Sequence, residues 1–480
     1  MQSKIKSFFC IIFICFSFLS CEKNDPTFVS GKKFEYSQWQ KENPLKGLCP
    51  FYSENQKVTK VPYSLEYFYV PLKSLRDYGT GYDFSYIDDK LEKIKSRGRQ
   101  AIFRIYIDYP SHKIKDSEGN WVGEDEIPQF IKNTGTEIYE YSVTKTDSET
   151  EKEYTFQKKS IDYSNEKVHS LLLELIKILG KKYNDDERVA FVPCGLIGHW
   201  GEWHTASYLK GKGMPTENQQ VELFNAFSKA FPDKKILARY PDSPGTIENK
   251  TLGFHDDSLT KDTNDPFDSS KKHYFVQRLE KVDLIERWQK AVIGGEVYPA
   301  NQIAVLEDKY PSSLSKKEYP DLEQYYFDCI EWIHCSWLMF SKAFSSDLTE
   351  KQIKNGIKAS INLGYDFSVT DAICAKDENL LGTRVSIKNF GIAPFYYKWI
   401  VKLALEQNGK IVESWKTNWD ITGILPEEEI TFHNEHEISV TENCRLLMQI
   451  ENPMENGIPV KFSNKEQDKN IEGWITLFEI

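Results

Sequence analysis

The chain has 480 residues, 40% of them hydrophobic and 14% aromatic, which is ample for one large core and a smaller second domain. Its 61 basic residues are outweighed by 72 acidic ones, for a net charge of -11, and no basic stripe is visible. Phosphate binding needs such a stripe, so a nucleic-acid partner is excluded.

The first elements in chain order concern export. Lys4 and Lys6 precede an apolar run from Phe8 to Leu19, of signal-peptide length and too short to span a bilayer. The run ends in Leu19-Ser20-Cys21, which looks like a bacterial lipobox, with Phe18 where Leu is usual. Lipidation of Cys21 is expected after cleavage; ordinary signal cleavage beside an incidental Cys is the competing reading. Residues 22–40 are polar and read as a tether. The expectation is an exported protein held on a bacterial membrane, the outer one, through its lipid alone, on the periplasmic or surface face.

From about residue 60, short apolar strands alternate with amphipathic helices. Strands are predicted at 64–70, 101–107, 189–197, 235–240, 251–255, 291–297 and 333–338. The helices between them carry clear signals, such as Ile87, Leu91 and Ile94 on one face, and capping boxes at Thr216/Gln219 and Thr349/Gln352. Residues 110–160 are polar and read as a long insertion in a strand-to-helix loop. Seven strands are clear; an eighth is expected near 48–52 or near 365–369. The alternation predicts an α/β fold, a (β/α)8 TIM-like barrel over 41–364. A doubly wound open sheet is the alternative, but no glycine-rich phosphate loop follows the first strand. After Gly364 the helical period stops, and short strands separated by turn signals predict a small antiparallel β-sandwich over 365–480.

Six cysteines follow Cys21 (Cys49, Cys194, Cys329, Cys335, Cys374 and Cys444), and their spacing fits no zinc motif. Cys374 and Cys444 could pair in an oxidising compartment; buried free thiols are the alternative.

Polar residues recur near the strand ends, where a barrel places its chemistry. They are Glu66 in the first predicted strand, Arg104 and Asp108 at the second, and His199, Glu202 and His204 in the Gly-His-Trp-Gly-Glu-Trp-His run ending at 204. Arg239, then His255, Asp256 and Asp257, then Glu296, and finally His334 and Ser336, belong to the later strands. Glu202 lies between Trp200 and Trp203, whose apolar walls would keep its carboxyl protonated. Glu296 follows two glycines, which permit close approach. Two carboxylates three strands apart fit glycoside hydrolysis, retaining if roughly 5 Å apart and inverting if wider. Trp200, Trp203 and Trp337 are candidate sugar-stacking platforms. A buried ion network of both carboxylates with Arg104 and Arg239 is the bland alternative. His199, Glu202, His204, His255 and Asp256 are zinc-type donors, but their spacing matches no standard motif and no metal is expected. Ser336 beside His334 lacks a nucleophile elbow.

The motifs Asn43-Pro-Leu-Lys-Gly47, Ser64-Leu-Glu-Tyr-Phe-Tyr69, Phe103-Arg-Ile-Tyr-Ile-Asp-Tyr-Pro110, Trp200-Gly-Glu-Trp-His204, Gly253-Phe-His-Asp-Asp-Ser258, Gly294-Gly-Glu-Val297 and Leu363-Gly-Tyr365 carry a resemblance. Together they resemble secreted bacterial proteins catalogued as paired domains of unknown function (forty-eight seventy-four, then forty-eight thirty-two). The resemblance implies a barrel followed by a β-sandwich and no activity. A looser similarity is to the clan of retaining glycosidases on barrels, in which the acid/base ends the fourth strand and the nucleophile the seventh. It implies Glu202 as acid/base, Glu296 as nucleophile and Arg104 as the nucleophile's support. The clan's Asn before the acid/base is replaced by Gly201. The expected partner is a glycan, without a cofactor. Arg104, Asp108, Trp200, Trp203, His204, Arg239, His255, Asp256, Asp257, Trp337, Glu66 and His334 are the candidate substrate contacts. A glycan-binding lipoprotein without turnover and a metal-dependent hydrolase are the alternatives.

Overall fold

The computed structural model describes residues 28–56, 59–146, 151–265, 270, 272–307, 309, 325–439 and 443–480. Cys21 and the expected signal segment lie outside the described residues, as does Pro320, the expected start of a helix.

Eight parallel strands form the barrel: β1 (Gly47–Cys49), β2 (Leu65–Pro71), β3 (Gln100–Tyr106), β4 (Val189–Pro193), β5 (Lys235–Ala238), β6 (Leu252–Leu259), β7 (Ile293–Val297) and β8 (Trp337–Met339). The eighth strand is therefore the N-terminal one, pairing with β8 from Gly47 to Cys49. The ring closes where Tyr52 N donates to Tyr67 O at 2.8 Å and Tyr67 N to Pro50 O at 2.9 Å. Each strand divides its side chains by the two-residue period. Phe68, Val70, Phe103 and Ile105 pack against the helical layer, whereas Leu65, Tyr67 and Ile102 fill the barrel.

The glycines before Glu296 answer to this packing rather than to a substrate. A Cβ on Gly294 would stand 2.3 Å from Cε2 and Nε1 of Trp337, and one on Gly295 2.0 Å from Asp256 O. Trp337 has no room to yield, being buried and stacked on Phe191 at 6.0 Å and on Tyr67 at 6.3 Å. Gly294→Ala should therefore cost about 1–3 kcal/mol of stability through overpacking. Urea unfolding of the variant beside the parent reads this directly, and an unchanged midpoint would refute the tight-packing account.

The sandwich pairs two four-stranded antiparallel sheets. One of them recruits Phe28–Lys33, which runs antiparallel to Phe367–Asp377. The tether expected over 22–40 thus includes a strand from residue 28 onward. Apolar residues of the barrel interior (Tyr67, Ile102, Leu237 and Trp337) share one core with Tyr365, Phe367 and Phe395 of the sandwich region. The sandwich therefore covers the barrel's N-terminal end and leaves the C-terminal end for chemistry. The Asn43-to-Gly47 motif works at this joint. Asn43 exchanges hydrogen bonds with the Lys461 backbone at 2.7 and 3.0 Å, and Lys46 Nζ donates to Ile361 O at 3.1 Å and Tyr365 O at 2.5 Å. Cys374 and Cys444 are free, buried thiols.

The 110–160 insertion contains two β-hairpins, Lys113–Lys115 with Trp121–Gly123 and Ile138–Thr146 with Glu153–Ile161. In the second, Tyr141, Val143 and Phe156 turn inward while Glu140, Ser142 and Gln157 face water. That period was visible in the sequence, but the charge density masked it.

Candidate active site

Glu202 lies in the loop after β4, and Glu296 on β7. The loop holding Glu202 is fixed by backbone geometry. Trp200, Gly201 and Trp203 all have positive φ (56°, 70° and 58°). Trp200 N donates to Asp108 O at 2.8 Å, and His199 N to His204 O at 2.8 Å. Gly201 presses on β3, where a Cβ would meet Ile105 O at 2.7 Å. A side chain such as the Asn of the glycosidase clan has no place there.

Asp108 supports this loop. Its two carboxylate oxygens accept from Tyr141 Oη at 2.6 Å and pair with His199 Nδ1 at 2.7 Å, all beneath the surface. The second hairpin and the Glu202 loop are thereby fastened to the end of β3. With both oxygens occupied, Asp108 is a support and not the substrate contact expected.

Arg104 is the central cation. Its side chain is 2% exposed, its Nη1 lies 2.8 Å from Asp257 Oδ2 and 3.4 Å from Glu202 Oε1, and its Nε donates to Tyr67 Oη at 2.6 Å. Asp257 also holds His255 Nδ1 at 2.8 Å, and Arg239 Nε lies 3.8 Å away. Burial pushes the Asp257 carboxyl up, but Arg104, His255 and Arg239 together hold it well below the usual range. Burial lowers the His255 imidazole, with Asp257 opposing. Glu202 has His204 Nε2 at 3.5 Å as its second partner. The Glu296 side chain makes no hydrogen bond or ion pair with a described residue. Burial first, then the charges of Asp257 and Glu202, raise its carboxyl well above the usual range, and Arg104 and Arg239 do not offset them.

Several buried nitrogens in this region make no hydrogen bond with a described residue: His199 Nε2, His204 Nδ1, His255 Nε2 and Arg239 Nε. Unsatisfied donors and acceptors are costly unless water or a ligand meets them. Trp200 is half-buried at the rim, with its ring 6.4 Å from Tyr109 and 5.9 Å from His204.

Five expected contacts are placed elsewhere. Trp203 stacks on Phe224 at 4.2 Å and donates its indole N–H to Cys194 O, so it forms no wall beside Glu202. Trp337 fills the barrel interior. Asp256, one residue out of phase with Asp257, turns to the other face and accepts from Thr263 Oγ1 at 2.8 Å and Ser258 N at 3.0 Å. Glu66 sits near the start of β2, held by Arg97 through two contacts of 2.7 and 2.8 Å. His334 precedes β8, stacked on Trp288 at 3.5 Å with Nδ1 on Ile392 O at 2.5 Å. The last two lie at the N-terminal end, opposite the carboxylate pair. Their strands were identified, but not which end of each strand they occupy.

Three tyrosines join the site without having been expected. Tyr69 is beside Arg104 in the β2–β3 register, with Oη 3.5 Å from Nη2. Tyr109 stacks on His112 at 3.9 Å and meets the edge of Tyr69 at 5.3 Å. Tyr240 carries the guanidinium groups of Arg239 and Arg278, each 4.7 Å from its centroid. The inward phase of Leu65–Pro71 was the available signal for Tyr69, since Glu66 takes the outward phase.

The residues of zinc-donor type do not converge. His199 is turned onto Asp108, His255 onto Asp257, and Asp256 away. Among the described residues one group has metal-like spacing, His112 with Glu124 and Glu126, and there the Lys158 ammonium already pairs with Glu126 at 2.8 Å.

No family model matches the chain, so the resemblance to paired domains of unknown function rests on the quoted motifs alone. No curated protein matches it either. Among solved structures, an endo-glycoceramidase II from a Rhodococcus species is similar at 7% identity over 74% of this chain and 89% of that one, with a TM-score of 0.37. A GH10 xylanase from termite gut, with a bacterial Ig-like domain, is similar at 10% identity over 68% of this chain and 79% of that one, also at 0.37. A GH30 endoxylanase from Clostridium papyrosolvens is similar at 9% identity over 84% and 95%, at 0.33. Likenesses at this level decide nothing about activity; the barrel is established by its own closed strand pairing, and the site by its own geometry.

Proposed function

We propose that the chain is a glycoside hydrolase of the bacterial cell envelope, anchored by lipid at Cys21 and acting on a glycan through Glu202 and Glu296. The observation that carries this reading is the pair itself. One carboxylate follows β4 and the other ends β7, around a barrel mouth where Arg104, Arg239 and Asp257 lie beside them. Their surroundings differ in kind: Glu202 lies 3.4 Å from the Arg104 guanidinium and 3.5 Å from the His204 imidazole, whereas the Glu296 carboxyl has no cation in contact and is raised by burial and by the charges of Asp257 and Glu202. A pair with separated proton affinities is what glycosidic cleavage needs. One carboxyl gives its proton to the leaving oxygen as the C1–O bond breaks. The other carboxylate either attacks C1 or takes a proton from the water whose oxygen does so. Trp200, Tyr109 and Tyr240 supply aromatic faces at the rim, and His204, His255 and Arg239 supply nitrogens for sugar hydroxyls. No cofactor enters this chemistry.

The test is a turnover screen of residues 22–480 against a broad panel of soluble glycans, with the double variant Glu202→Gln/Glu296→Gln beside it. Reducing ends released by the parent and not by the double variant support the reading. Binding without release by the parent would make the protein a glycan-capture lipoprotein. Activity that depends on added zinc would favour a metal hydrolase.

A further inference from the structure

The carboxylate that receives Arg104 is neither member of the pair alone. The same nitrogen, Nη1, is 2.8 Å from Asp257 and 3.4 Å from Glu202. Arg239, the second guanidinium, is committed to His255 O at 3.4 Å, Ser258 Oγ at 3.3 Å and the neighbourhood of Asp256 and Asp257. Neither cation reaches Glu296. We propose that Asp257 is a positioning residue that holds Arg104 away from Glu296, leaving Glu296 and not Glu202 as the carboxyl that carries the pair's proton.

This deepens the hydrolase reading and rests on it. It also reverses the roles that the glycosidase likeness implies: Glu296 becomes the acid, and Glu202 the base or nucleophile. The groups facing Glu296 can be enumerated strand by strand. They are Tyr69 from β2, Arg104 from β3 and Tyr109 beyond it, Glu202 from the β4 loop, Arg239 following β5 and Asp257 from β6. Its partner in the β7–β8 register is Met339, which carries no charge. Two anions and two cations would cancel if they were equally placed. Both cations are drawn to the Asp257 side, and the tyrosines are neutral, since burial raises both. The balance at Glu296 is therefore negative, and a negative surround favours the protonated carboxyl. Asp257 contributes twice, by its own charge and by where it sends Arg104.

The proton can be located without any substrate. Protein carrying ¹³C-labelled Glu carboxyls is titrated by carbon NMR, and each site signal is assigned by its loss in Glu296→Gln or Glu202→Gln. The expected result is a Glu296 carboxyl that is still neutral at pH 7. In Asp257→Asn the Glu296 midpoint should fall by about one pH unit or more, because a like charge is removed and Arg104 is released. A parent with Glu296 ionised at pH 7 overturns the proposal, as does a midpoint that does not move in Asp257→Asn. If that variant fails to fold, the parent titration alone still decides where the proton is. The readout needs no turnover, so a failed glycan screen and a misplaced proton are separate results.

Discussion

Glu202→Gln and Glu296→Gln should each cut turnover by at least about 10³-fold while glycan binding stays within about threefold. Gln keeps the size and planar shape of Glu and replaces one carboxyl oxygen by an NH2 group, so it removes the charge, the exchangeable proton and the attacking oxygen pair. Whatever is lost is therefore chemistry and not packing. The two variants should also differ from each other. With Glu296 as acid, Glu296→Gln should recover much of its rate on aryl glycosides whose nitrophenolate leaves without protonation. Glu202→Gln should not, because a missing nucleophile or base is not replaced by a better leaving group. Equal recovery in both would remove the division of roles, and recovery in Glu202→Gln alone would restore the arrangement implied by the glycosidase likeness. Turnover undiminished in either single variant would leave Asp257 as the remaining carboxylate with a direct line to Arg104 and His255.

Much of this fold was legible because its signals are local. The capping boxes at Thr216/Gln219 and Thr349/Gln352 form as read, each with its reciprocal side-chain and backbone bonds. The strand cores coincide with apolar runs, and β1 falls at one of the two places considered for the eighth strand. The elements that escaped depend on partners far away in sequence. Phe28–Lys33 is polar and becomes a strand only because Phe367–Asp377 offers it an edge. The hairpin at Ile138–Thr146 was hidden by its charged outer face, although Tyr141 reaches Asp108 from it.

The site was legible as a set of residue types and less so as a set of directions. Arg104, Glu202, Arg239, His255, Asp257 and Glu296 come together as a barrel mouth requires. Trp203 and Asp256 fail by one position in phase, which sends each side chain to the opposite face. For a strand that is the two-residue period; for Trp203 it is the run of positive φ values, which no apolar pattern announces. Glu66 and His334 fail by end, since a strand's residue types do not show which end of the barrel they occupy. Glu66 finds its cation 31 residues away in Arg97, at the end of the helix Ser85–Ser96.

Arg104→Met should destabilise the fold by about 3–5 kcal/mol near neutral pH. Met fills much of the same space, so the penalty is that of buried carboxylates left without their cation. The pH dependence separates this from a packing defect. In the parent, the Asp257 carboxyl is held below its unfolded value, so it adds stability above roughly pH 4, and that stability is lost only as pH falls through the folded value. Without Arg104 the largest cation opposing burial is gone, and the Asp257 carboxyl should rise above its unfolded value. Its contribution then becomes most favourable below roughly pH 4 and is lost as pH rises through the new folded value. Glu296, already raised, moves further in the same direction, because Arg104 is one of the two cations opposing its shift. The gap between parent and variant should therefore be smallest in acid and widest near neutrality. Urea unfolding at about pH 5 and about pH 8 measures it. A gap that is constant with pH, or under about 1 kcal/mol at both, would mean that Arg104 is not what offsets the buried charge of Asp257 and Glu202 at the barrel mouth.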